Sequence, residues 1–325
     1  MKLSELLALS LKNDASDLHL APNQLALLRV QGELVPIEEI GLLDADAVKN
    51  MVYSAMSNEQ KNQFETTLEL DFAISILESR FRVNVFRQVH GVAAVFRTVP
   101  SRVPTLDQLK LPAVFKQLLD LPNGLILVTG QTGSGKSTTL AAMIDHINTQ
   151  HALHIITIED PVEFIHSRKK SLISQRQVYR DTRKFNTALR SALRQDPDVI
   201  MLGEMRDLET IRLALTAAET GHLVMATLHT SSAPRTINRI IDVFPASEKN
   251  SIRNLLSESL QAVICQTLIK KDNGGRVPAF EIMIATNAIR NLIREDKIAQ
   301  MYSAMQMGAS TGMCTMAQYL YSLQS

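Results

Sequence analysis

Gly130-Gln131-Thr132-Gly133-Ser134-Gly135-Lys136-Ser137 follows the apolar run Leu125-Ile126-Leu127-Val128 and opens a helical stretch at 138–147. The octapeptide fits G-x-x-x-x-G-K-[ST], and a strand before it with a helix after it is the context that gives this pattern meaning. Glycines let main-chain N–H groups close around an anion, and the following helix aims its positive end at the same point. Gly130, Thr132, Gly133, Ser134, Gly135 and Thr138 form the candidate cradle. Lys136 adds a mobile positive charge for the β- and γ-phosphates, and Ser137 offers a hydroxyl to Mg²⁺. A chance glycine turn would not explain both flanks.

The chain has 325 residues, 45% of them apolar, with a formal net charge of +1. At about 150 residues per domain, two domains are expected. A charge so close to zero gives no support for bulk nucleic-acid or anionic-membrane binding. Cys265 and Cys314 are far apart and lack metal-ligand spacing, which fits ordinary thiols in a reducing compartment. No apolar run is long enough to span a bilayer. Residues 1–11 carry Glu5 within the apolar stretch and Leu3, Leu7 and Leu11 at helical spacing, so a short amphipathic helix is expected there, not a signal peptide. A cytoplasmic protein is expected.

Residues 1–99 read as one small α+β unit. Helical patterns at 3–12 and 44–64 alternate with extended runs at 18–20, 25–30, 81–86 and 92–97. Gln88-Val89-His90-Gly91 predicts a hairpin turn between the last two runs. If that turn centres on Val89-His90, Arg82 lies opposite Arg97. Facing like charges are unfavourable unless an anion stands between them. On periodicity alone, two solvated arginines on an exposed face are the favoured explanation of the pair. The proline-bearing segment 100–112 reads as a linker. Residues 113–325 form the second expected domain. Strand-like runs at 125–129, 154–158, 199–202 and 223–228 are nearly all apolar and alternate with helices, which predicts a parallel sheet covered on both faces. A helix is expected at 208–220, with Asp207 as N-cap and Gly221 as terminator. Helices are also expected at 248–268, 288–307 and 313–323. Asn273-Gly274-Gly275 should turn before the run 279–284.

In such a sheet, acids beside the phosphate loop sit at the carboxyl ends of strands. Val199-Ile200-Met201-Leu202 ends in Gly203-Glu204, an apolar strand followed at once by an acid. Gly203 stands where an aspartate would usually ligate magnesium, so Glu204 is the candidate for positioning or activating the attacking water. Such a base contributes about 10²–10⁴-fold. The plainer alternative pairs Glu204 with Arg206. Ile155-Ile156-Thr157-Ile158 ends in Glu159-Asp160-Pro161-Val162-Glu163, and Glu163 is the second candidate acid, with Glu159 and Asp160 competing. His222 and His229 bracket the run 223–228. His229, at the carboxyl end, is placed to sense a γ-phosphate, although lone histidines are more often structural. Metal ligation by either has no second ligand at a recognisable spacing.

These residues together resemble the secretion ATPases, and within them the retraction motors of type IV pili and twitching motility. The resemblance runs through Ala15-Ser16-Asp17-Leu18-His19-Leu20, Arg80-Phe81-Arg82-Val83-Asn84, the phosphate loop, Thr157-Ile158-Glu159-Asp160-Pro161 and Asp196-Pro197-Asp198. It continues through Gly203-Glu204-Met205-Arg206-Asp207-Leu208-Glu209-Thr210, Ala217-Ala218-Glu219-Thr220-Gly221-His222 and Thr227-Leu228-His229-Thr230. It implies a PAS-like N-terminal domain before a RecA-like P-loop ATPase domain, ATP and Mg²⁺ as ligands, and a homo-hexameric ring. It assigns Glu163 to an Asp box, Glu204 to the Walker B motif, and His222 and His229 to a His box. Arg82 and Arg97 match arginines that reach the γ-phosphate, a role that can be worth roughly 10³–10⁵ in rate. It implies an inner-membrane pilus platform protein as partner, a paralogous accessory retraction ATPase as a possible second one, and a location at the inner-membrane base of the pilus machine. Ala288-Ile289-Arg290-Asn291-Leu292-Ile293-Arg294-Glu295-Asp296-Lys297 matches the segment that marks retraction motors. Taken by itself, it is an amphipathic helix with Ile289, Leu292 and Ile293 inward and Arg290 and Arg294 outward. Gln131 replaces a proline usual after the first loop glycine, at a position that demands no special side chain.

Competing readings remain open on the residues alone. A RecA-like nucleic-acid motor would share the loop and sheet but lacks a basic, aromatic-interleaved groove. A non-hydrolysing accessory subunit would share the loop. Relatives that extend pili or secrete protein usually carry larger N-terminal regions and often a cysteine zinc site, for which two cysteines do not suffice.

Overall fold

The computed structural model describes residues 2–77, 79–99, 102–270 and 275–324. It divides into two compact units, Met1–Arg102 and Val103–Ser325. Of the segment 100–112, the part from Val103 onward goes with the second unit. Leu106 is 3% exposed and packs in one core with Phe115 and Leu118. Asn273 and Gly274 of the expected turn lie outside the described residues.

The first unit begins with helix α1 (Leu3–Lys12), whose Leu3, Leu6 and Leu7 are buried. A six-stranded antiparallel sheet follows, from β1 (Asp17–Leu20), β2 (Leu27–Val30), β3 (Glu33–Pro36), β4 (Glu69–Ile76), β5 (Ser79–Gln88) and β6 (Gly91–Val99), in the order β3-β2-β1-β6-β5-β4. The expected single helix at 44–64 is two, α2 (Ala45–Ser54) and α3 (Asn58–Thr67). Ser57 starts α3 by accepting from Gln60 N, while the Gln60 side chain accepts from Ser57 N. That reciprocal cap favours a new helix over continuation. β3 is exposed along its whole length, so alternation gave no sign of it. The hairpin turn does centre on Val89-His90, since Gln88 pairs with Gly91, and the register sets Arg82 opposite Arg97.

The second unit starts with α4 (Val114–Leu119). Its seven-stranded sheet contains β7 (Gly124–Thr129), β8 (His154–Glu159), β9 (Leu172–Gln177), β10 (Val199–Leu202), β11 (Leu223–Leu228), β12 (Leu260–Lys270) and β13 (Arg276–Ile284), in the order β13-β12-β7-β11-β10-β8-β9. All neighbours are parallel except β13, which runs antiparallel to β12. Apolar residues alternate between the two covered faces. Leu125 and Leu127 pack into one core with Ile156, Leu202 and Ala226, while Ile126 and Val128 pack into the other with Ile144, Met225 and Phe280. Both faces being buried is why these strands read as unbroken apolar runs.

Helices α5 (Lys136–Gln150), α6 (Phe185–Ala192), α7 (Leu208–Glu219), α8 (Ala233–Asp242) and α9 (Lys249–Ser259) flank the sheet. Asp207 caps α7 by accepting from Thr210 N, and Gly221 follows its end at φ +110°. Two expected helices are shorter than their patterns. The stretch 248–268 is α9 followed by β12, because Val263, Ile264, Thr267 and Ile269 are β-branched and pair along β7 and β13. An apolar run of this kind suits either element by periodicity. The stretch 288–307 is α10 (Asn287–Arg294), a 3₁₀ turn at Ile298–Gln300 and α11 (Met301–Met307), with Asp296 at φ +58° between them. The last helix, α12 (Met316–Gln324), packs on β13.

Candidate active site

The phosphate loop leaves β7 at Gly130 (φ +141°) and enters α5 after Gly135 (φ +87°). Side chains would strain both positions, and a Cβ on Gly130 would fall 2.2 Å from Gln266 O. Among the described residues, the N–H groups of Gly133, Gly135, Lys136, Ser137 and Thr138 have no acceptor within the chain. They are the free donors at the positive end of a 15-residue helix. Lys136 is buried, and its Nζ donates to Gly130 O at 2.8 Å and Gln131 O at 2.9 Å. The Ser134 hydroxyl is buried without a hydrogen-bond partner. Unspent donors, an ammonium group and an orphaned hydroxyl around one glycine turn suit a polyphosphate. Ser137 is half-buried at the mouth of the loop, where its hydroxyl can serve a magnesium ion chelated by that polyphosphate.

The acids come from the neighbouring strand tips. Burial draws the pKa of Lys136 down, while the negative charges of Glu204 and Glu163 oppose that shift. The lysine therefore feels both candidate acids. Glu204 follows β10 by two residues, and the segment holding it is tied to β11 by Met205 N donating to Thr227 O at 3.1 Å. The Glu204 carboxylate takes Arg206 Nη2 at 2.8 Å and His229 Nε2 at 3.2 Å. Burial works against its ionisation, but the Arg206 hydrogen bond and the His229 and Arg206 charges prevail and hold its pKa below the ordinary value. The Glu204–Arg206 pairing weighed from the sequence is thus present together with the His229 contact.

Glu163 is exposed beyond β8. Of its competitors, Glu159 turns inward. It is 8% exposed, burial raises its pKa, and Thr157 Oγ1 donates to it at 2.6 Å. Asp160 is exposed. Gly203 has a steric reason. A Cβ there would stand 3.2 Å from Glu159 Cα and 3.3 Å from Ile158 O, so the strand tip has little room for an aspartate.

The two histidines part company. His229 lies at the carboxyl end of β11, beside Glu204. His222 precedes the amino end of that strand, where its O accepts from Gly124 N and its Nδ1 lies 3.0 Å from Ala217 O. Because β11 runs parallel to β7 over six residues, roughly 20 Å separates His222 from the loop of its own chain. The fold does not bring it to the cradle of the same chain.

In the first unit, Arg82 and Arg97 face each other across β5 and β6, and each has a carboxylate. Arg97 Nε donates to Asp17 Oδ1 at 2.8 Å, and Arg82 Nε lies 3.7 Å from Asp71 Oδ1. The side chain of Asp17 is 6% exposed and that of Arg97 65%, so the acid is fixed and the guanidinium reaches outward. These aspartates supply the counter-charge that the bare sequence lacked.

Gln266 escaped sequence reading. It is a glutamine within the apolar run 260–269, and that anomaly was the signal available. Its side chain, 3% exposed, joins β12 to the loop. Arg290 departs from its expected outward position. It does not lie free on the outer face of α10. It is half-buried, with Nη1 donating to Ser257 O at 2.5 Å and to Glu258 O at 2.7 Å, and Nη2 to Gln261 Oε1 at 3.2 Å. The guanidinium closes the carbonyl end of α9, where a cation is favoured. Arg294 is exposed as expected, and Ile289 and Ile293 are fully buried.

Residues 2–318 match the family model of the type II/IV secretion system protein. The chain belongs to this family. It is 58% identical over 324 residues to the type IV pilus retractation ATPase PilT of Pseudomonas aeruginosa, covering 99% of this chain and 94% of that one. The crystal structure of the pilus retraction motor PilT with bound ADP superposes with a TM-score of 0.93 at 47% identity, covering 99% of this chain and 93% of that chain. Against the type IV pilus assembly ATPase PilB of Myxococcus xanthus, identity is 36% over 273 residues, covering 79% of this chain and 47% of that protein. The α/β fold, with a parallel P-loop ATPase sheet after a smaller antiparallel unit, is that of the retraction motor.

Proposed function

We propose that this chain is a Mg²⁺-dependent ATPase that powers retraction of type IV pili, and with it twitching motility. The observation that carries the reading is identity: the chain is 58% identical to a retraction ATPase and 36% identical to an assembly ATPase.

In this reading Lys136 and the free N–H groups of the loop hold the triphosphate, and Ser137 offers its hydroxyl to the magnesium ion that accompanies it. Magnesium, when bound, would neutralise charge on the triphosphate. Glu204, ionised through Arg206 and His229, orients the attacking water and takes its proton. Glu163 adds a second carboxylate near the lysine. Six copies form a ring, and Arg82 and Arg97 of one copy complete the nucleotide site of a neighbour. His222, remote from its own loop, serves such a junction. No helix of the described residues is long and apolar enough to cross a membrane. In the proposed reading the ring works in the cytoplasm at the inner-membrane base of the pilus machine, through a platform protein, and a paralogous retraction ATPase can join it there.

Deleting the gene tests the direction of motion. Retraction predicts cells that keep surface pili and lose twitching. Cells without pili would make the chain an assembly motor instead. Steady-state phosphate release by the purified protein separates a motor from a non-hydrolysing accessory ring.

A further inference from the structure

The buried Gln266 side chain spends one end of its amide on the phosphate loop and the other on the first turn of α5. Nε2 donates to Ser134 O at 2.7 Å, and Oε1 accepts from Thr139 Oγ1 at 2.7 Å. The loop approaches β12 closely through its glycines. A Cβ on Gly130 would lie 2.2 Å from Gln266 O, and one on Gly135 would lie 2.9 Å from Gln266 Nε2. Gly133 has nothing within 4 Å of such an atom. Two of the motif's glycines therefore make room for a neighbouring strand, while the third faces open space.

The carbonyl that Gln266 holds belongs to the Ser134–Gly135 peptide. A peptide bond is planar and trans, so its C=O and N–H point in opposite directions. Fixing Ser134 O against β12 turns the Gly135 N–H the other way. That N–H is among the loop donors without an acceptor in the chain. Without the amide, a buried carbonyl would lose its partner, and the peptide would gain by rotating to find another. We propose that Gln266 is a positioning residue that aims the Gly135 N–H into the phosphate cradle. The proposal rests on reading the loop as an ATP site.

The test is ADP affinity, measured with a fluorescent N-methylanthraniloyl-ADP probe on the full-length protein. In Gln266→Glu the ionised carboxylate cannot donate to Ser134 O, whereas the protonated acid can. Burial favours the protonated form. The variant should bind about tenfold more weakly than wild type near about pH 8.5 and recover towards wild type near about pH 6. Gln266→Met should bind about tenfold more weakly at both values. Gln261→Met is the control. Gln261 lies at the start of the same strand, bonded to Asn123 O and Arg290, and its loss should lower the melting temperature without changing ADP affinity. The proposal is overturned if both Gln266 variants bind within about twofold of wild type at each pH, or if Gln261→Met weakens binding equally. Should the Gln266 variants not fold, Thr139→Val decides in their place, because it frees Oε1 at nearly constant volume. About threefold weaker binding is expected, and unchanged affinity overturns the proposal. Wild-type protein that fails to bind the probe would instead sink the ATP-site reading itself.

Discussion

At the scale of single residues, the proposed roles separate grip from cleavage. Lys136→Ala should abolish nucleotide binding, read as loss of the ADP-induced rise in melting temperature. Glu204→Gln should keep ATP bound while phosphate release falls by about 10²-fold or more. Arg206 tunes that acid. Its hydrogen bond and charge offset the burial that would otherwise push the Glu204 carboxyl upward. Arg206→Met should therefore raise the Glu204 pKa and shift the acid limb of the phosphate-release profile to higher pH, leaving the neutral plateau in place. The same depressed pKa stabilises the fold above the unfolded-state value, and that contribution disappears as pH falls through the folded-state value. The place of the loop was legible in the sequence because a glycine pattern fixes backbone geometry locally. The place of Glu204 was legible because an acid after an apolar strand sits at the strand's carboxyl end. Asp17 as the partner of Arg97 was not, because β1 is distant in sequence from β6, and Asp71 as the partner of Arg82 was not, because β4 was not read as a strand.

At the scale of elements, β12 is the piece that periodicity misassigned and that the site depends on. It pairs with β7 from Leu260 to Cys265, reaches the loop through Gln266 and meets α10 through Gln261. Its apolar run was visible, but only pairing with β7 and β13 makes it a strand. The same holds for α10. Its inward face was readable from spacing, yet Arg290 turns back to cap a helix some thirty residues earlier, which spacing cannot reveal. Arg290→Met removes charged hydrogen bonds to Ser257 O and Glu258 O and should cost about 1–3 kcal/mol. For a unit of this size, that lowers the melting temperature by about 2–4 °C per kcal/mol. Arg294→Ala, on the exposed side, should leave the melting temperature nearly unchanged. Loss of retraction by Arg294→Ala with intact ATPase activity would then mark the outer face of α10 as an output surface.

At the scale of the whole molecule, the chain carries the two halves of its proposed chemistry on separate units, a cradle with acids and a sheet with outward guanidiniums. If the ring is composite, Lys136→Ala and an Arg82→Ala/Arg97→Ala double variant should each be inactive alone. Mixed before assembly, they should recover part of the wild-type phosphate release, because some junctions then pair an intact cradle with intact arginines. No recovery at any mixing ratio would confine each site to one chain. The alternation of apolar runs and helices in the second unit foretold its doubly covered sheet. The six-stranded sheet of the first unit was less visible, since β3 is exposed and β4 opens in polar residues.

The crowding at Gly203 bears on how a divalent ion would be held. With the backbone of β8 pressed against that strand tip, position 203 offers no carboxylate to such an ion. If the proposed ATP site uses magnesium, the nucleotide's own phosphates and the Ser137 hydroxyl would hold it, and the ion would enter as a chelate of the nucleotide. Titrating nucleotide-free protein with magnesium chloride should give no saturable heat, while the same titration with ADP present should.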